Sequence, residues 1–546
     1  MLAPKVAPLV PPATSLRLIR ATPYTAKIGI ELDGIGDGGR SKQFVDVVKT
    51  LRPWTPLAGD TPVPLDANGW PQSDAQTVFF DIRPFGAWWG EDKIDDPDRF
   101  QPDWSGTYHL SFKGQATLRT GDPSQATLAN QRYDAATNTT TAEVTVPKGG
   151  GLLVMVFAAT QRTPESAKGS GVTDMKFIRP GYPADTKQLF TSEFLESLKP
   201  FSTLRFMDWT NTNANPGYYG DVGHHTLQWA DRHLPTDATQ QGYGTKVGAS
   251  WEYAIQLANA TGKDMWINVP VAASDDYVLR LALLLKSTLQ PGRKIYIEHS
   301  NEVWNFGFPQ YIYNKLAAVD EVGQGKSPLN NDGATDQETW AHRRHAKRLV
   351  EIGNIFRVVY GDAAMGTRIL PVYASWSISP DAHYAQVLDW VNKTYGSPKK
   401  FFSAVAGAAY YNGNEAGATA SVDDILASMK ANSDKNLENR AAIQKIADAY
   451  GLKHFQYEIG PDTGGGSEVN VANRIRANRD LRIKEVLLHD ATDNWFAKGG
   501  DLYMYFAHLG GYSRYGAWGL SEDVMNLDTP KWGAIYQMTG YGIAKK

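Results

Sequence analysis

After Pro180 the chain settles into a regular alternation of helix-like and strand-like segments, and this limits the fold more than any other feature. A helical pattern at Ser192–Leu198 precedes the apolar run Thr203–Met207. Glu252–Ala258 precedes Asp264–Val269, Tyr277–Leu285 precedes Lys294–Glu298, and a long pattern from Glu338 to Tyr360 precedes Thr367–Tyr373. Phe401–Val405 follows, then Ala441–Tyr450 with Lys453–Tyr457, and finally Asp501–Phe506. With Lys27–Leu32 near the N-terminus the strands number eight. Strands joined through helices run parallel, and eight such units predict an α/β fold of the (β/α)8 TIM barrel type.

One region breaks the alternation. Gln43–Leu51 reads as a helix ended by Pro53, and from about residue 54 to 165 the sequence turns to Pro, Gly and Asp between short alternating runs. Thr107–Phe112, Thr141–Val146 and Leu152–Phe157 have the period-two pattern of half-buried strands. The expectation is a β-sandwich or jelly-roll-like module at 56–164, inserted in or packed on a barrel made of 20–55 and 165–546. Residues 1–19, rich in Pro and Ala without an apolar core, read as linker.

Composition removes several classes of function. A net charge of −3 with no basic block leaves no electrostatic footprint for nucleic acid. The longest apolar run, Gly151–Ala159, is far too short to span a bilayer. There is no cysteine, hence no disulfide, thiolate metal site or cysteine nucleophile. That absence fits a secreted or periplasmic bacterial protein, the location expected here, with Met1 an expression start. The chain has 16 Trp, 26 Tyr and 20 Phe; many of the Trp lie beside Gly, Pro, Asn or Asp, where ring faces can stack on sugars, although composition alone favours a large core with aromatic-pinned loops.

Familiar motifs mostly fail on context. Gly34-Ile-Gly36-Asp-Gly-Gly39 follows a strand, but the second strand and acidic residue of a dinucleotide site are missing, so a βα turn is the better reading. His342-Arg-Arg-His345 has helical spacing without a third ligand and reads as a solvated helix face. Neither a Gly-x-Ser-x-Gly elbow nor a His-Glu-x-x-His pair occurs. No metal and no cofactor is called for.

Two carboxylates stand apart. Glu302, in Ile295-Tyr-Ile-Glu-His-Ser-Asn-Glu-Val-Trp304, follows the fourth strand, and Glu458, in Phe455-Gln-Tyr-Glu-Ile-Gly460, ends the seventh. Residues past the C-terminal ends of barrel strands face the mouth, and strands four and seven lie across it from each other. Two carboxylates about 5 Å apart suit retaining glycoside hydrolysis, one as nucleophile and one as acid/base.

Ser300-Asn-Glu-Val-Trp304 and Tyr457-Glu-Ile-Gly460 resemble the acid/base and nucleophile signatures of clan A glycoside hydrolases, which carry Asn-Glu after the fourth strand and a nucleophilic Glu on the seventh. The resemblance covers the barrel and leaves the β module unexplained. It implies that Glu302 protonates the glycosidic oxygen and later activates water, that Glu458 attacks the anomeric carbon, and that Asn301 holds the 2-hydroxyl. Arg205 matches the second-strand arginine whose charge would favour an ionised Glu458. Tyr410 or Tyr411 matches the sixth-strand tyrosine. The eighth strand ends in Phe506-Ala-His-Leu without a Trp, so His508 or Trp518 is expected to supply the sugar platform. Trp209, Trp304 and Trp376, each just after a strand, are further stacking candidates, with packing under a loop as the equal alternative. Physics adds that Glu302 should titrate high, through burial and the charge of Glu458.

The expected function is therefore a retaining glycosidase acting on a β-linked polysaccharide or oligosaccharide, its partner a carbohydrate. The alternatives are a non-catalytic carbohydrate-binding protein on a hydrolase-like barrel and a transglycosylase using the same residues. Sugar, linkage and mode of attack are not encoded in these motifs, nor are the folds of 210–245, 306–337 and 411–437.

Overall fold

The computed structural model describes residues 17–20, 26–86, 94–214, 226–241, 246, 248–462 and 468–544. Its centre is a closed barrel of eight parallel strands: Lys27–Glu31, Thr203–Arg205, Asp264–Val269, Ile295–His299, Ile369–Ser375, Ala404–Ala408, Lys453–Ile459 and Leu502–Tyr505. Each pairs with its successor, and the last pairs with the first through Ile30↔Tyr505. A strand of such a barrel is buried on both faces, which is why these segments read as near-continuous apolar runs. Ile295, Ile297 and His299 point outward to the helices, and Tyr296 and Glu298 point inward.

The interior is filled by Trp266, Tyr296, Leu370, Val372, Phe455, Tyr457 and Met504, with the small Ala404 and Ala406 opposite. Gly29 makes room for Met504, since a Cβ there would lie 2.1 Å from the Met504 sulfur. The sixth strand begins three residues later than its sequence pattern. Phe401 and Phe402 finish the turn after Pro398–Lys400, and the strand is the alanine run behind them, whose side chains the crowded interior requires.

Two antiparallel sheets lie between the first and second barrel strands. One has the order Ala75–Asp81, Leu152–Gln161, Gln115–Thr120; the other Thr127–Asp134, Thr139–Val146, Gly106–Lys113, Thr173–Ile178. They face each other across a shared core in which Phe80 meets Tyr108 and Phe112 meets Phe157. This is a β-sandwich, and its last strand carries it to Ile178, beyond the expected end at 164. Its ends meet at the barrel: Asp46 bridges Ile178, and Phe44 bridges Phe190.

Three local expectations are corrected. The stretch 43–51 forms only a 3-10 turn, Val47–Thr50; Phe44, Val45, Val47 and Val48 are all buried on different sides, so no single helical face serves them. The strand Leu18–Arg20, paired with Tyr541–Ile543, replaces the end of the linker expected at 1–19, and residues 1–16 lie outside the described residues. His342 and His345 are not on a solvated face. The helix Gln337–Tyr360 turns His345 onto the barrel, where its Nδ1 meets His299 Nδ1 at 2.9 Å, and the His342 ring lies 4.2 Å from that of His383. Among the described residues no helix is long and apolar enough to cross a membrane.

Candidate active site

Arg205 organises the mouth of the barrel. It ends the second strand, is completely buried, and places all five of its N–H groups. Nη1 donates to Glu31 Oε2 at 2.9 Å and to Glu458 Oε1 at 2.7 Å. Nη2 donates to Glu298 Oε2 at 3.0 Å and to Asn301 Oδ1 at 2.8 Å, and Nε donates to Glu298 Oε2 at 3.2 Å. One guanidinium thus faces three carboxyl groups, from the first, fourth and seventh strands. Their negative charge holds Arg205 well above its ordinary range despite its burial. Burial raises Glu31 and Glu298 above the usual carboxylate range, and Arg205 opposes that rise in both. Glu298 also accepts from Trp266 Nε1 at 2.7 Å and Asn268 Nδ2 at 2.8 Å.

The fourth strand releases the chain into a strained turn. Ser300 (φ 58°) and Glu302 (φ 42°) both adopt the left-handed region on either side of Asn301. Such a backbone costs about 1–3 kcal/mol per residue and persists only where neighbours enforce it. Here the Ser300 amide donates to Val269 O, Asn268 Nδ2 donates to Ser300 O, and Gln310 Nε2 donates to Asn301 O. The amide of Asn301 is tied to Arg205 at its oxygen and to Asn213 Oδ1 at its nitrogen, which keeps one N–H unassigned.

The turn aims Glu302 into the cleft. Asn305 Nδ2 donates to Glu302 Oε2 at 2.7 Å, and the Tyr457 hydroxyl donates to Oε1 at 3.3 Å. Burial first and the charge of Glu458 second push the Glu302 carboxyl up to about 8. Glu458 has different company: besides Arg205, it accepts the Tyr410 hydroxyl on Oε2 at 3.1 Å. Two carboxyl groups in one cleft therefore differ in circumstance, one among neutral donors and one paired to a cation, the pattern that separates acid from base roles.

Of the expected aromatic residues, Trp304 and Trp376 stack face to face at 5.4 Å, and Trp304 Nε1 donates to the Tyr457 hydroxyl at 3.2 Å, which sets the pair beside Glu302. Phe506 meets Tyr410 edge-on at 5.9 Å, and Trp518 meets Phe506 at 5.4 Å, so the wall on the Glu458 side is Tyr410, Phe506 and Trp518. Three expected residues lie elsewhere. Trp209 is core, wedged among Phe44, Phe190, Phe194 and Phe206. Tyr411 points to the opposite side of its strand from Tyr410, into the helix layer near Asp490 and Tyr503. His508 is fully buried behind the barrel, its Nε2 at 2.9 Å from Ser197 Oγ and its ring against Phe194 and Trp532.

Sequence reasoning missed Glu31, Glu298, Asp208, Asn213, Asn268 and Tyr457. For the two glutamates a signal existed: a carboxylate within a strand buried on both faces is almost never tolerated without a partner.

No family model matches the chain, and no curated protein does. Solved structures that match the chain include a GH51 arabinofuranosidase from Xanthomonas axonopodis pv. citri, 11% identical over 66% of this chain and 68% of that one, with a TM-score of 0.40. Xylanase 10B from Thermotoga maritima is 12% identical over 63% of this chain and 88% of its own, with a TM-score of 0.32. A mutant xylanase 10C from Cellvibrio japonicus in complex with xylopentaose is 11% identical over 91% and 98%, with a TM-score of 0.31.

Proposed function

We propose that the chain is a retaining glycoside hydrolase of the clan A kind, cleaving a β-linked polysaccharide or oligosaccharide by double displacement. The observation that carries this reading is the unequal pair at the mouth: Glu302, raised to about 8 among neutral donors, and Glu458, ion-paired to Arg205 at 2.7 Å. An acid that keeps its proton near neutrality can protonate the departing glycosidic oxygen. Glu458 attacks the anomeric carbon as that bond breaks, with Arg205 and the Tyr410 hydroxyl fixing its two oxygens. Once the leaving group departs, Glu302 is the base that takes a proton from water, and the water oxygen displaces Glu458 from the sugar. In this reading the spare N–H of Asn301 serves the 2-hydroxyl, and Trp304 with Trp376 offers a ring face beside Glu302.

The test is Glu458→Ala on a screen of polysaccharides and aryl glycosides. Turnover should vanish and return with azide as a glycosyl azide of inverted configuration. Full activity in that variant sinks the assignment.

A further inference from the structure

Asp208 is an acidic group at the mouth that the mechanism above does not use. It lies three residues past the end of the second strand, and its backbone N–H donates to Glu31 Oε1 at 3.1 Å, which fixes it beside the Arg205 cluster. Its side chain is half-buried and accepts no hydrogen bond from any described residue. Arg205, the cation near it, has all five N–H groups engaged elsewhere, while Glu458 and Asp33 add like charge from the seventh strand and from the loop after the first. A carboxylate at the mouth without a donor among the described residues is an acceptor open to a ligand donor.

We propose that Asp208 selects the glycosyl unit: a hydroxyl of a neutral sugar donates to its carboxylate, and a uronic acid is rejected from the same position. The proposal rests on the glycosidase reading above. Its physical basis is the imbalance of charge. Among the described residues Arg205 is the cation at this place, and it is ion-paired to Glu458 and not to Asp208, so a substrate carboxylate set against Asp208 would meet like charge without a cation to pair it. A neutral sugar brings hydroxyl donors and no charge.

The test measures kcat and KM at pH 7.5, above the value of about 7 to which burial and Glu458 push Asp208. The substrates are 4-nitrophenyl β-glycosides of glucose, galactose, mannose and xylose, and those of glucuronic and galacturonic acid. Wild type, Asp208→Asn and Asp208→Ala are compared. The wild type should hydrolyse at least one neutral glycoside and disfavour the uronides by about 100-fold or more in kcat/KM. Asp208→Asn should raise KM for the neutral substrate and narrow that preference, each by about tenfold, the loss of one hydrogen bond to a charged acceptor. Uronides hydrolysed as well as neutral glycosides by the wild type, which needs no variant to fold, would overturn the proposal. So would an unchanged KM and preference in both variants, and either result leaves the glycosidase reading standing. If the wild type acts only on polysaccharides, the same ratios are read on neutral against uronic-acid polysaccharides; if it acts on neither kind of substrate, the glycosidase reading itself fails and takes this proposal with it.

Discussion

Replacing Arg205 by Met should destabilise the protein in a way that depends on pH with a definite sign. The guanidinium is fully buried and donates to Glu31, Glu298, Glu458 and Asn301. Removing one partner from a buried ionic cluster costs about 3–5 kcal/mol, because the remaining charges lose their compensation. Glu31 and Glu298 already lie above the ordinary range with Arg205 present, and Arg205 is what restrains them. Without it they rise further. A carboxyl raised on folding contributes stability that is fully present below its unfolded value of about 4.3 and is lost as pH climbs through the folded value. The deficit of the variant should therefore be small at pH 5 and grow toward pH 8. Any growth of the deficit between the two pH values reports the further rise of these carboxyls, at about 1.4 kcal/mol for each unit. Urea unfolding followed by tryptophan fluorescence, on wild type and variant at both pH values, measures this directly. Equal deficits, or a larger one at pH 5, would refute the electrostatic account of the cluster. Arg205→Lys, which keeps a charge but fewer donors, should show a shallower slope.

Other consequences follow from single contacts. Glu302→Gln should slow glycosides with poor leaving groups by about 100-fold or more and spare those with highly activated ones; it should also abolish the alkaline fall of kcat/KM expected of the wild type near pH 8, the value to which burial and Glu458 push Glu302. Tyr410→Phe removes the hydroxyl donated to Glu458 and should cost about 1.5–3 kcal/mol in transition-state stabilisation, read as a fall in kcat/KM of about tenfold or more; an unchanged rate would exclude that contact from the chemistry. Gly29→Ala would press a methyl onto Met504 inside the barrel and should lower stability by about 1–3 kcal/mol, measured by thermal or urea unfolding, with a truncated partner in Gly29→Ala/Met504→Ala recovering part of the loss.

The barrel was legible because its strands are buried on both faces and separated by helices: seven of the eight lie within two residues of their apolar runs, and the eighth, at Ala404–Ala408, is displaced because small interior residues carry no strand signature. The two glutamates were legible from position alone, since strand ends map onto the mouth. Pairs that meet only in three dimensions were not. Glu31 and Glu298 converge on Arg205 from strands far apart in sequence, and neither the distance nor the geometry is written locally. Aromatic residues after strands misled in one case, because Trp209 follows its strand but turns into the helix layer with Phe194. Tyr410 and Tyr411 are adjacent in sequence and face opposite ways, so only the pleat decides which of them reaches Glu458.

The bridge between Asp46 and Ile178 also bears on how the protein reaches its shape. The first barrel strand ends at Glu31 and its partner begins at Thr203, so their pairing must close a loop of roughly 170 residues. With the sandwich formed and its two ends clasped at that bridge, the path through it shrinks to about 40 residues, which lowers the closure entropy by about 1.3 kcal/mol. A sandwich formed first would bring the first two barrel strands together, and with them Glu31 beside Arg205, across a much shorter loop.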